Sequence, residues 1–115
     1  MSTIRQEPVH AGEFLLSEGN GQISREAINV APGPALVAGQ LLGLVTATGE
    51  FAAYSPAAED GSEKAACILF ASLGESDIVR RGRAVVRLAE VSEALLTGLD
   101  ADAEQALAAH NIILR

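Results

Sequence analysis

Apolar and polar positions divide this chain into short apolar runs separated by turn chemistry. Residues 1–12 are polar apart from Ile4, Val9 and the small Ala11, and they carry Pro8 and Gly12. A proline cannot donate to a central strand ladder, so this stretch predicts a mobile arm. Residues 14–17 and 23–30 flank Glu18-Gly19-Asn20-Gly21. Asn-Gly accepts positive φ at both turn positions, so the spacing predicts a hairpin. Pro32-Gly33-Pro34 ends its second strand by withdrawing N–H donors. Residues 41–47, closed by Thr48-Gly49, and residues 51–54 predict a second hairpin. Residues 55–62, with Pro56 and Asp60-Gly61, read as a loop.

Residues 41–45 and 64–73 are almost continuously apolar. A half-exposed strand alternates, so these two predict strands covered on both faces. One small domain has little material for that, and a neighbouring subunit is expected to supply the missing cover. Leu41, Leu42 and Leu44 are therefore candidate subunit-interface residues. Residues 83–90 predict one further strand, with Ala84, Val86 and Leu88 on one face and Arg83, Val85 and Arg87 on the other. Arg83 and Arg87 join the interface candidates. Residues 92–97 predict a helical turn stopped by Gly98. Asp100 is suited to cap the one convincing helix, with Asp102 and Glu104 in its first turns and Asn111 at its end. Ile112-Ile113-Leu114 follows as a short strand. The expected fold is mainly β, rich in hairpins, with one short C-terminal helix: a small α+β domain over residues 13–115 behind an arm of residues 1–12.

At 115 residues the chain has room for one core. Its 49% hydrophobic content and mean hydropathy of +0.25 are high for so small a soluble domain, which again points to a partner. The net charge of −7 and the lack of tryptophan, with only Phe14, Phe51, Phe70 and Tyr54 as aromatics, argue against a nucleic-acid partner. Arg80, Arg81, Arg83 and Arg87 form the one basic cluster, for which ion pairing within or between subunits is the expected role. The single Cys67 lies in an apolar run and reads as a small buried hydrophobe. No signal peptide or membrane-length apolar stretch is visible, so folding in the cytoplasm is expected. His10, His110 and Cys67 have no metal-ligand spacing, and no phosphate loop, nucleophile elbow or calcium loop is present. No catalytic residue, metal, cofactor, membrane or small-molecule substrate is expected. Ala38-Gly39-Gln40-Leu41-Leu42-Gly43 resembles a phrase of lipoyl- and biotinyl-carrier domains, but the sole lysine, Lys64, lies outside it.

A longer resemblance runs from about Glu13 to Arg115. Ser24-Arg25-Glu26, Leu36 to Gly43, Thr46-Ala47-Thr48-Gly49-Glu50-Phe51, Tyr54 to Glu63, Ala89-Glu90-Val91 and Ile112-Ile113-Leu114-Arg115 resemble, in order and spacing, the lambda-type head decoration proteins. The resemblance implies a homotrimer on the outside of the expanded phage capsid, made in the host cytoplasm. Its partner would be the major capsid protein, and it would hold the shell against internal DNA pressure. It also implies an N-terminal arm that orders on the capsid. Ile4, Pro8, Val9 and Phe14 are the candidate capsid-contacting residues of that arm.

Overall fold

The computed structural model describes residues 10–20 and 23–115. Ile4, Pro8 and Val9 lie outside the described residues. The chain forms β1 (Leu15–Glu18), β2 (Arg25–Val30), β3 (Leu41–Val45), β4 (Glu50–Ala53), β5 (Ala65–Leu69), β6 (Arg80–Val85) and β7 (Ala89–Val91). A 3₁₀ turn (Glu93–Leu95), α1 (Ala101–Ala108) and β8 (Ile112–Leu114) complete it. With 40% strand and one short C-terminal helix, this is the expected small α+β domain.

The strands make two sheets. One is a closed barrel in the order β2-β4-β3-β5-β6, and the other is a three-stranded sheet in the order β1-β7-β8. The barrel interior holds Ile28, Val30, Leu42, Cys67, Leu69 and Ala84, with Phe51 from β4 against them. Its outer face along β3, β5 and β6 carries Leu41, Ile68 and Val85 into a second core with Phe14, Val91, Leu107 and Ile112. Successive strand residues point to opposite faces, so Cys67 and Ile68 enter different cores. β5 and the first half of β3 are thus covered by their own chain, by the barrel on one side and by α1 and the small sheet on the other, while Leu44 near the end of β3 stays exposed. Most of the two apolar runs is therefore buried within one protomer.

The hairpin at residues 41–54 forms, with Leu44 opposite Phe51 and Val45 opposite Glu50. The one expected around Asn20-Gly21 does not. β1 pairs with β7 and β2 pairs with β6, so this link passes between sheets. Ser24 explains the divergence: its buried hydroxyl accepts from the Gly19 N–H and donates to the Leu88 carbonyl, each at 2.8 Å. That carbonyl also accepts from the Gly19 N–H at 3.0 Å. Leu88 is held at φ +53. The single strand expected over residues 83–90 is broken there into β6 and β7, which belong to different sheets, because a left-handed residue cannot continue a pleat. Leu88 is consequently exposed, and Val85 is buried rather than sharing an outer face with Arg87.

At the C-terminal end the sequence signals hold. The Asp100 carboxylate accepts from the Ala103 N–H at 2.8 Å and caps α1, and Asn111 ends the helix region at φ +62. β8 then pairs in parallel with β7. The Tyr54 hydroxyl donates to the same Asp100 carboxylate at 2.9 Å, tying the barrel to the helix start.

Arg80 fastens the barrel's far end. The segments around Gly33 and Ser76 exchange backbone hydrogen bonds, as do Leu36 and Leu73. Arg80 Nη1 donates to the carbonyls of Pro34 and Gly74 at 2.8 and 2.9 Å, and Nη2 donates to Ala31 at 2.6 Å. Its role is backbone tethering, not the ion pairing expected for the arginine cluster. Arg80→Ala is expected to cost about 2–3 kcal/mol, since charge-assisted bonds are lost and carbonyls are left unpartnered. Chemical denaturation checks this, and a change under 0.5 kcal/mol would show the tether to be idle.

Candidate interaction surface

The residues before β1 are rooted, not loose, from His10 onward. The Gly12 N–H donates to the Phe70 carbonyl at 2.9 Å, and the His10 N–H donates to the Glu13 carboxylate at 2.8 Å. A Cβ on Gly12 would meet the Phe70 ring at 2.8 Å, so glycine is required for this approach. Gly12, within the stretch that composition assigned to an arm, is thus bonded to the body of the domain. Phe14 is fully buried in the core shared by the barrel and small sheet. Its expected place among capsid-contacting residues is corrected: it holds the protomer together.

The interface candidates separate in the same way. Leu41 and Leu42 are fully buried, one in each core, and their side chains have no surface to offer a partner. Leu44 stays 38% exposed beside Ala66, Ala106, Ala109 and His110 in a shallow apolar groove between the barrel and α1. Arg87 is half-buried; it donates to the Ile23 carbonyl at 2.6 Å and pairs with Glu26. Arg83 and Arg81 are exposed on the outside of β6, opposite Ala27 and Asn29 of β2. Apolar residues outside the interface candidates are also exposed. Ile78, at 74%, precedes β6, and Leu88 and Ile113 line a depression on the outer side of the small sheet with Ser17 and Glu90. The Ser17 hydroxyl and then Arg115 hold the Glu90 carboxyl below its ordinary range.

Burial, with a smaller contribution from the charge of Glu26, pushes the Cys67 thiol up to about 12. It lies inside the barrel with no thiolate character. Lys64 is exposed just before β5, after the long loop from β4. β4 and β5 are not partners, since β3 lies between them. Lys64 is therefore not presented on a hairpin turn, as a carrier domain would require. Among the described residues no group of three or more His, Cys, Asp or Glu is placed to hold a metal, and no helix is long and apolar enough to cross a membrane.

Burial, the bond to Asp100 and the charges of Asp100 and Asp102 push the Tyr54 hydroxyl up to about 12 from its ordinary 10.0. For both Tyr54 and Cys67 the folded state favours the neutral form. Their contribution is complete below the unfolded values near 9 for the thiol and 10 for the phenol, and is lost as pH rises through about 12. The thermal midpoint is expected to fall steadily above pH 9, and Tyr54→Phe should flatten the part above pH 10. Melting curves from pH 7 to 12 test it; an equally steep fall in the variant would remove Tyr54 from the account.

No curated protein matches the chain. Residues 4–112, nearly the whole chain, match the family described as bacteriophage lambda head decoration protein D. The family is one of structural components of the virion, which supports a capsid decoration role. The order of the sequence phrases and this match over nearly the whole chain place it in the lambda head decoration protein D family.

Proposed function

We propose that this protein binds the outside of the expanded phage capsid as a homotrimer and stabilises the shell against internal DNA pressure. Its partner is the major capsid protein, and it has no enzymatic activity, cofactor or nucleic-acid partner of its own. The family match over residues 4–112 carries this reading. The exposed apolar side chains of Leu44, Ile78 and Ile113 support it, because a small acidic protein leaves such groups in water at a cost unless a partner covers them. The N-terminal residues, with Ile4 and Val9 as contacts and Pro8 interrupting strand pairing, are the gripping element. An extended segment can add main-chain hydrogen bonds to a strand edge of the shell protein.

The test is a titration against expanded empty shells of wild type and a variant lacking residues 2–9. That deletion stops short of the Gly12–Phe70 contact, so the domain should keep its stability. Wild type is expected to bind and the deletion to bind at least about 100-fold more weakly, a loss of roughly 3 kcal/mol. Wild type that fails to bind any expanded shell would overturn the function. Equal affinity of the two proteins would overturn the role of the N-terminal residues alone. Light scattering of the bound or concentrated protein should give a trimer mass.

A further inference from the structure

Exposed apolar side chains gather on one side of the small sheet. Ser17 of β1, Glu90 of β7 and Ile113 of β8 stand in register across it. Ile113 and Leu88 line the depression there with Gly19. The Ile23 side chain lies against Gly19, where an added Cβ would come within 2.4 Å of Ile23 Cγ2. Ile23, Leu88 and Ile113 are 50%, 41% and 49% exposed, and the Leu88 side chain joins neither core. Leu88 holds its place on a backbone of φ +53, a conformation that favours glycine, asparagine or aspartate over leucine. A small polar side chain would suit both this turn and the water around it, so the packing of one protomer gives no reason for a leucine.

The charges around this patch are neutralised in place. Glu18 pairs with Arg25 at 2.7 Å and Glu90 with Arg115 at 2.6 Å. Glu26 pairs with Arg87, which also donates to the Ile23 carbonyl at 2.6 Å. Other carboxylates gather away from it, at Glu59-Asp60, at Glu75-Ser76-Asp77 and at Asp102 and Glu104 of α1. Two copies of a chain of net charge −7 repel each other over most of their surface.

We propose that Ile23, Leu88 and Ile113 form the self-association surface of this protein, and that they converge with the same residues of two further copies around a threefold axis. Charge complementarity identifies the occupant as a second copy: identical acidic chains can approach where each carboxylate already has its cation, and there the apolar side chains can be buried. A patch beside a threefold axis meets its own equivalents, and closure leaves no copy with a bare apolar end. The inference rests on the proposed homotrimer and adds the face that makes it.

The test is sedimentation equilibrium of the full chain over a range of concentrations, at low and high salt, for wild type, Leu88→Asn, Ile113→Thr and Ile78→Thr. Asparagine accepts the left-handed backbone and threonine suits a strand, so both patch variants should melt no lower than wild type where all are monomers. Ile78 is exposed outside the patch and serves as the control. The expected result is self-association weakened about tenfold or more by each patch variant and unchanged by Ile78→Thr. Wild-type association should tighten as salt screens the repulsion between acidic copies. Patch variants that associate like wild type overturn this placement and leave the trimer intact. Normal trimers of the patch variants that no longer bind expanded shells overturn it too, since the patch then meets the shell protein. Association that weakens as salt rises removes the charge argument and has the same consequence. Wild type that stays monomeric at every concentration and on the shell marks a failure of the homotrimer reading itself.

Discussion

Phe14→Ala is expected to lower the melting temperature by roughly 10–20 °C, a loss of about 3–5 kcal/mol. The ring is fully buried where Val91 of the small sheet and Leu107 of α1 meet the barrel. The backbone is fixed as well, because the Ser92 N–H donates to the Phe14 carbonyl at 2.7 Å. The surrounding groups cannot collapse freely into the space left behind, so the cavity adds to the lost transfer energy. Small domains have about 5–15 kcal/mol in total, so the variant should sit near the edge of folding at 37 °C. Calorimetry or urea unfolding measures this directly. An unchanged melting temperature together with weakened shell binding would return Phe14 to the role its neighbourhood in the sequence suggested.

The second large effect belongs to Gly61→Ala, with an expected cost of about 3–5 kcal/mol. Gly61 has φ +110, and an added Cβ would lie 2.3 Å from the Leu44 carbonyl oxygen and 2.9 Å from Thr46 Cγ2. Backbone strain contributes on the order of 1–3 kcal/mol and forced separation of the loop from β3 a similar amount. The loop has little freedom to yield, since the Thr46 N–H is bonded to the Asp60 carbonyl at 3.0 Å and the Gly61 N–H to the Glu63 carboxylate at 2.8 Å. Gly49→Ala is the matched control. Its φ is +73 but nothing lies within 4 Å of the added atom, so only strain of about 1–2 kcal/mol is expected. Equal losses at the two positions in denaturant titrations would show that the close approach to β3 is not what requires glycine at position 61.

Local signals in the sequence determined the elements whose causes are local. The helix from Asp100, its end at Asn111, the hairpin across Thr48-Gly49 and the burial of Cys67 each follow from a cap, a turn preference or an apolar run. These act over a few residues and need no partner from elsewhere in the chain. The long order of phrases from Ser24 to Arg115 also carried the family, which the match over residues 4–112 shows. What only the tertiary structure decided is how the strands are shared between a barrel and a separate sheet. Asn20-Gly21 has the chemistry of a hairpin turn, but Ser24 and Leu88, distant in sequence, divert the two flanking strands to different partners. The same long-range arrangement gave residues 41–43 and 65–69 two covered faces within one chain, where an account limited to one layer required a neighbour. It buried Phe14, Leu41 and Leu42 and left Leu44, Arg81 and Arg83 at the surface. Alternation along a strand fixes which residues share a face, but only the packing of one sheet against another decides which face meets water.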